Sequence, residues 1–368
     1  MLLSGLSVML LRFGILLFAL AGRGRVARVA VPVARGLVAL LTLVWFVLNS
    51  ITGVGINDAV FYHLRSGLGG ADVSQYLGLI AGAAIGFLVL VVACWKLFRA
   101  LPQGRVPRAG ADLLVLGLLA VAVASNPFSV DVTRYVARQY LTEQQTEGFV
   151  DPVVLSRPAK RKNLVVIYLE SLERSYFDPV QFPGLIEDLR RIEAKGTSYT
   201  GLGQSIGAGF TIGGMVAGQC GVPLIISGGE NSLRVSRFLS GATCLGDLLK
   251  AEGYTTEFMG GASTELAGKG SFYESHGFDR VSGLESLKPG LADPGYLGPW
   301  GLQDDPLLDR VGKRIDDLAR SPDPFAMVML TLDTRHPDGH ANTNRSCKDV
   351  RYGDGGNAML TSVKCSDR

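Results

Sequence analysis

The sequence predicts a transmembrane helical bundle at the N-terminus, followed by an α/β domain that is incomplete. Three observations carry this expectation. Apolar residues concentrate before about residue 127, strand-like and helix-like segments alternate from Asn163 onward, and a last helical pattern runs up to Arg368 with neither cap nor breaker. With 368 residues, 47% of them hydrophobic, and a mean hydropathy of +0.26, the chain is too apolar for one ordinary soluble core. The net charge of +3 is small, and no basic stripe with interleaved aromatics follows residue 130, so nucleic acid is excluded as a partner.

Four apolar stretches, roughly 2–21, 36–53, 76–95 and 110–127, approach the ~20 residues that a helix needs to span a bilayer. Arg12 interrupts the first. The loop between the first two carries Arg23, Arg25, Arg28 and Arg35, and the loop between the last two carries Lys96, Arg99, Arg105 and Arg108. The middle loop sets Arg65 against Asp58 and Asp72. By the positive-inside rule both Arg-rich loops are cytoplasmic, so the chain after Asn126 is extracytoplasmic. The expected organisation is a transmembrane domain over 1–127, an amphipathic or linker segment over 128–162 that ends in the basic "SRPAKRKN", and a partial catalytic domain over 163–368. Cys220, Cys244, Cys347 and Cys365 fall in the exported part, where an even number suits an oxidising compartment. The local pairing is Cys220 with Cys244 and Cys347 with Cys365; free buried thiols are the alternative.

In the α/β part, a strand covers 163–169 and a helix about 184–195, closed by Gly196. A helix begins near Thr211. Another runs from about Leu245 to Glu252 with Thr243 as its N-cap. A strand covers 254–260, a helix follows Asp304–Asp305 with Pro306 in its first turn, "FAMVMLTL" at 325–332 is a buried strand, and a terminal helix starts near Asn357.

Ligand sites of open α/β sheets form outside the carboxyl ends of the strands. Three strand ends here stop on polar groups or glycines: Glu170-Ser171, Gly260-Gly261, and Asp333-Thr334-Arg335-His336. A carboxylate at such an edge is a hard ligand suited to Mg²⁺ or Mn²⁺, although the same residue type also serves as a helix cap. "GAGFTIGGMVAGQCGVPL" brings glycines up to Thr211 at a helix start, where backbone N–H groups favour an anion. A hydroxyl there, beside a divalent metal, can act as a nucleophile; a plain N-cap is the simpler role. His336, following a buried strand, suits a phosphate or glycerol oxygen, or caps the strand as a loop residue; His340 lies further along the loop, and His276 belongs to a helix end.

"KNLVVIYLESLERSYFD", "GAGFTIGGMVAGQCGVPL" and "TRHPDG", placed behind several apolar spans, resemble the phosphoglycerol transferase I family, and so does "GVGINDAVFYHL" in the second outer loop. That family belongs to the alkaline phosphatase/sulfatase-like superfamily and is related to lipoteichoic acid synthase. The resemblance implies an enzyme of osmoregulated periplasmic glucan biosynthesis. It would sit in the bacterial inner membrane with its catalytic domain in the periplasm. It would move phosphoglycerol from phosphatidylglycerol to periplasmic glucans and release diacylglycerol. It further implies Glu170 as a metal ligand, Thr211 as nucleophile and ligand, His336 as a phosphoglycerol contact, and Mn²⁺ or Mg²⁺ as cofactor. In lipoteichoic acid synthases a Trp and an Arg ahead of the "FYESHGFD" counterpart help hold glycerol phosphate. Here "LAGKGSFYESHGFD" stands, and Lys269 is the expected substitute.

The superfamily also places an Asp-His metal pair on a later strand, and no Asp-His dipeptide occurs in this sequence. The chain is therefore expected to be cut in mid-domain and to be inactive or very weakly active. A phosphoethanolamine transferase and a sulfatase-type hydrolase are the alternatives within the superfamily; Cys220 in "CGVPL" lacks the Arg of a sulfatase modification motif. A non-catalytic membrane protein that binds lipid headgroup or glucan is the alternative outside it.

Overall fold

A computed structural model describes residues 25–53, 55–66, 76–99, 109–145, 150–205, 207–224, 238–291, 293–336, 338–341 and 345–368. The chain divides into two compact units, Met1–Val60 with Val73–Gln144, and Phe61–Asp72 with Gln145–Arg368.

The first unit holds α1 (Arg25–Thr52), the start of α2 (Asp58–Ser66), α3 (Leu77–Arg99), α4 (Ala109–Ala124) and α5 (Pro127–Gln145). The apolar run expected over 2–21 lies outside the described residues. The other three apolar runs become α1, α3 and α4, and α1 packs against both others. Among the described residues no single helix is long and apolar enough to cross a membrane. Leu116–Ala124 and Pro127–Arg138 together are, with a 64° bend between them. The bend has a local cause. Pro127 cannot donate into a continuing helix, and the buried Asn126 turns its side chain to the flanking backbone, accepting from Phe128 N at 3.1 Å. Asn126 also donates to Thr42 Oγ1 at 2.9 Å, and Trp45 Nε1 donates to Asp131 Oδ2 at 2.8 Å. These partly buried polar contacts hold α1 against the α4–α5 turn.

The second unit is built on a four-stranded parallel sheet in the order β1-β6-β2-β3. Its strands are β1 (Leu164–Tyr168), β2 (Thr255–Gly260), β3 (Arg280–Ser282) and β6 (Phe325–Leu330). Short β4 (Leu297–Gly298) and β5 (Gly301–Leu302) form a separate antiparallel hairpin around Trp300. The helices are α6 (Glu187–Glu193), α7 (Thr211–Cys220), α8 (Leu245–Ala251), α9 (Lys269–Ser275), α10 (Leu284–Leu287), α11 (Asp304–Leu318) and α12 (Ala358–Ser366). All six residues of β6 are buried, as a continuous apolar run between two neighbours requires. Each such side chain contributes about 1.5–3 kcal/mol of burial. One core packs Ile212, Met215 and Val216 of α7 with Phe258, Phe272, Tyr273 and Val328; a second packs Met259, Met327 and Met329 against Leu307 and Val311 of α11.

Several sequence expectations need correction. The run at 163–169 resembles a buried strand, yet Val165 is 42% and Ile167 52% exposed. Burial alternates along β1, an edge strand paired to β6, so Val165 and Ile167 share a face that no described residue covers, and an apolar run does not reveal which face is covered. The helix expected over 184–195 is shorter, Glu187–Glu193. The N-cap of α8 is Cys244, whose N–H donates to Asp247 Oδ2 at 2.9 Å. Thr243 instead donates its hydroxyl to Asp151. Asn357 caps α12 by accepting from Leu360 N at 3.0 Å. The local pairing expected from the sequence, by contrast, is the one present: Cys220 is joined to Cys244, tying the end of α7 to the start of α8, and Cys347 to Cys365.

Glu257 lies in β2, 3% exposed, and is held by Arg314 of α11, whose Nε donates at 2.8 Å. Arg314→Met would leave that carboxylate buried and unpaired. It should lower unfolding free energy by about 2–4 kcal/mol in urea titration, whereas Glu257→Met combined with Arg314→Met should recover most of the loss.

Candidate active site

β1 stops at Tyr168, and the chain turns sharply after Glu170 because Ser171 takes a left-handed conformation, φ 53°. A non-glycine residue held there stores about 1–3 kcal/mol and persists only where its surroundings impose it. The surroundings are two threonines from the exit of β6. Thr331 Oγ1 accepts from Glu170 N at 2.9 Å, and Thr334 Oγ1 donates to Glu170 O. Both peptide groups of Glu170 are therefore fixed by one neighbouring strand, and its side chain projects from the carboxyl end of the sheet.

Thr211 meets it there. Its Oγ1 donates to Glu170 Oε1 at 3.1 Å and Oε2 at 3.0 Å. Thr211 is the first residue of α7, not its cap; Phe210 occupies the cap position in an extended conformation. The hydroxyl is thus free of capping duty, and the amides of the first helical turn face the same region. Two glycines make the approach possible. A Cβ on Gly213 would lie 2.0 Å from Gly207 O, and Gly207, at φ +76°, would place one 2.7 Å from Leu224 O.

Arg335 completes the constellation, with Nη1 3.6 Å from Glu170 Oε1 and its guanidinium carbon 4.2 Å above the Trp300 ring centroid. Lys269 begins α9 and is 4% exposed, with Nζ donating to Leu266 O at 2.7 Å. Burial, reinforced by Arg335, pulls its pKa down to about 7 against the opposing pull of Glu170 and Glu285. His336 is exposed, and among the described residues no hydrogen bond joins it to Glu170 or Thr211. His276 is buried elsewhere, between Asp247 Oδ2 at 2.7 Å and Phe238 O at 2.8 Å.

Of the sequence candidates, then, Glu170 and Thr211 are brought into direct contact, Lys269 lies within electrostatic reach, and His336 stands apart. Arg335 and Trp300 carried no assigned role in the sequence reading. The signal available was an arginine at a strand end; its aromatic partner sits in a distant hairpin.

A buried acid pair underpins the β6 exit. Asp304, at the start of α11, accepts from Leu332 N at 2.6 Å and Asp333 N at 3.0 Å, while Asp333 Oδ2 accepts from Asp304 N at 3.2 Å. Each carboxylate serves the other residue's amide, which locks the turn that carries Thr334 and Arg335.

Comparison with known proteins fits this geometry. A family model described as "Sulfatase" matches residues 162–363, the segment that carries Glu170, Thr211 and Arg335. This chain belongs to the sulfatase family. A second family model, described as "Phosphoglycerol transferase I, N-terminal domain", matches residues 3–144. A phosphoglycerol transferase I from Xanthomonas euvesicatoria pv. vesicatoria is 40% identical over 335 residues, 89% of this chain and 47% of the relative. One from Citrobacter koseri is 38% identical over 372 residues, 98% of this chain and 48% of the relative. The chain spans about half the length of these curated relatives. A solved alkaline phosphatase superfamily protein from Vibrio parahaemolyticus is 24% identical and covers 63% of this chain and 56% of its own, at a TM-score of 0.46, too slight a likeness to argue from.

The sulfatase family generally uses a divalent metal. Glu170 and Thr211 fit one, since their oxygens are hard donors about 3 Å apart at a sheet edge. Among the described residues the one group of three His, Cys or carboxylate atoms within reach of a shared ion is Cys244, Asp247 and His276. It is unsuited, because the Cys244 sulfur is bonded to Cys220. That bond also removes Cys220 as a nucleophile.

Burial, with the charge of Asp333 adding to it, raises Asp304 from 3.8 to about 8. The folded protein therefore keeps a proton that the unfolded chain releases above about pH 4. This contribution to stability is complete below pH 4 and lost as pH rises through about 8. Asp304→Asn should flatten the decline in unfolding free energy between pH 4 and 8, measured by chemical denaturation across that range.

Proposed function

We propose that this chain carries the nucleophile of a membrane-bound phosphoglycerol transferase. The enzyme takes phosphoglycerol from phosphatidylglycerol and passes it to periplasmic glucans through a phosphoglyceryl-threonine intermediate. The single observation that supports this reading most is the contact of the Thr211 hydroxyl with both Glu170 oxygens at the start of α7. The curated relatives are named phosphoglycerol transferase I, which supports phosphoglycerol transfer as the reaction class.

In the first step Thr211 Oγ1 attacks phosphorus. The new Oγ1–P bond forms as the P–O bond to the diacylglycerol breaks, and that oxygen leaves with a proton as diacylglycerol. Glu170 orients the Thr211 hydroxyl, and the α7 amides and Arg335 face the phosphoryl charge that develops. Bound at Glu170 and Thr211, Mn²⁺ or Mg²⁺ would supply Lewis-acid stabilisation of the phosphoryl oxygens. In the second step a glucan hydroxyl attacks the same phosphorus and Thr211 is released. Lys269 and His336 are proposed to face the phosphoglycerol, Lys269 from beneath and His336 from the loop.

The apolar helices of the first unit, the basic residues at their ends (Arg25, Arg28 and Arg35 fall within α1, and Lys96 and Arg99 at the end of α3, not in loops) and the match over residues 3–144 support a multi-pass inner-membrane protein whose catalytic domain is periplasmic. A lipid donor then reaches the site from the bilayer it already occupies.

Among the described residues Glu170 and Thr211 are the two protein ligands brought together at the site. The informative readout is dependence on Thr211 and not rate. The purified chain should release diacylglycerol from radiolabelled phosphatidylglycerol vesicles with Mn²⁺, and Thr211→Ala should release none. Release that persists in Thr211→Ala, or that occurs only from phosphatidylethanolamine, would sink the proposal.

A further inference from the structure

At the opposite end of α7 from Thr211, four side chains with metal-binding atoms converge. One donor atom each from Cys244, Asp247 and His276 lies within 4.8 Å of the other two. Cys220 is bonded to Cys244, so its sulfur shares the same point. The backbone sets this arrangement. A Cβ on Gly246 would lie 2.2 Å from His276 O, and one on Gly277, at φ +81°, 2.7 Å from Gly246 O. The start of α8 and the His276 turn therefore touch main chain to main chain, an approach that glycine alone permits. Cys244 and His276 are each 1% exposed, so both are already desolvated where they meet.

The hydrogen bonds orient each donor. His276 Nε2 lies 2.8 Å from Phe238 O, which can only accept, so Nε2 carries a proton and donates. Nδ1, 2.7 Å from Asp247 Oδ2, shares a second proton with that carboxylate. A cation that displaces this proton meets a neutral imidazole whose other nitrogen already donates to a carbonyl, the arrangement that fixes histidine ligands in metal sites. Asp247 Oδ2 also accepts from Cys244 N at 2.9 Å, which anchors the carboxylate to the residue that bears one of the sulfurs. While the disulfide is closed the sulfurs are not ligands. Every newly made chain passes through the dithiol state first, and in that state the four donors are two sulfurs, one nitrogen and one oxygen.

We infer that the reduced chain binds a Zn²⁺ ion through Cys220, Cys244, Asp247 and His276, so that zinc ties α7 to α8 in the dithiol form as the disulfide does in the oxidised form. Two thiolates, an imidazole and a carboxylate make a four-coordinate, borderline-soft set that suits Zn²⁺ and not Mg²⁺. The hard oxygens of Glu170 and Thr211 make the opposite choice, so the two places sort different metals. A dithiol reductant opens the Cys220–Cys244 bond by giving two electrons and two protons and becoming a disulfide itself, and each sulfur is left as a thiol. Zn²⁺ then displaces both thiol protons and the proton shared by His276 and Asp247, which pass to solvent, and forms two Zn–S bonds, one Zn–N bond and one Zn–O bond. The site is independent of the transferase reading and lies outside the proposed chemistry.

Absorption spectroscopy of the purified full chain tests it, with the protein reduced by a phosphine, kept free of oxygen and titrated with Co²⁺ in excess Mg²⁺. Reduced wild type should show the visible bands of tetrahedral cobalt and a near-ultraviolet thiolate charge-transfer band, and Zn²⁺ should bleach both. The oxidised chain should show neither. Cys220→Ser should about halve the charge-transfer band, because one of the two thiolates is gone while Cys347 and Cys365 are kept. His276→Gln and Asp247→Asn should each weaken Zn²⁺ binding to the reduced chain at least about tenfold, read by competition with a chromophoric chelator. Circular dichroism checks the fold of each variant. Where His276→Gln is unfolded, Asp247→Asn carries the comparison, since asparagine keeps an oxygen for the Cys244 amide. A reduced wild type without tetrahedral cobalt bands overturns the inference, and so does Zn²⁺ affinity unchanged in both His276→Gln and Asp247→Asn. Bands of full strength in Cys220→Ser would place the metal at Cys347 and Cys365 and overturn it too.

Discussion

Everything at the candidate site depends on how the peptide of Glu170 is held. Thr331 accepts its N–H and Thr334 donates to its carbonyl, so one side chain before and one after the β6 exit turn grip a residue on the neighbouring strand. A carboxylate at a sheet edge is otherwise mobile and hydrated, and its ligand geometry would vary. With both backbone groups fixed and Ser171 at φ 53°, the root of the side chain is placed so that its carboxylate reaches Thr211. The strain at Ser171 is offset by these hydrogen bonds, each worth about 0.5–1.5 kcal/mol. The reciprocal contacts of Asp304 and Asp333 then stiffen the same turn from behind.

The charges follow the same logic. Glu170, Arg335 and Lys269 are brought together where little water remains, and among the described residues Arg335 and Lys269 have fewer partners than their donors allow. A stability argument alone would favour apolar side chains in their place. Charged groups gathered in this way at a strand end are those expected to find their partners in a bound ion and a bound anion.

Much of this was legible in the sequence. Glu170 stood out because an apolar run ended on it. Thr211 stood out because glycines led to it at a helix start, and the close approaches of Gly207 and Gly213 give that pattern its physical cause. The α/β alternation and the parallel sheet followed from helical and strand periodicity. Other features were not legible, for definable reasons. The exposure of Val165 and Ile167 depends on what packs over that face of β1, and an apolar run looks the same whether one face or both are covered. Cys244 displaced Thr243 as the α8 cap because Asp247 takes the Cys244 N–H, a contact between side chain and backbone that composition does not order. Arg335 and Trp300 meet only through tertiary folding of the β4–β5 hairpin, which places no periodic mark on the chain.

The central claim is that Thr211, oriented by Glu170, is a covalent nucleophile toward a phosphate ester. The most direct measurement is peptide mass spectrometry of the chain after incubation with phosphatidylglycerol vesicles and Mn²⁺ and an acid quench that preserves phosphate esters. The account predicts a phosphoglyceryl group on the peptide bearing Thr211, assigned to that residue by fragmentation and absent from Glu170→Gln protein. Diacylglycerol release with Thr211 unmodified, or the adduct on another residue, would contradict it.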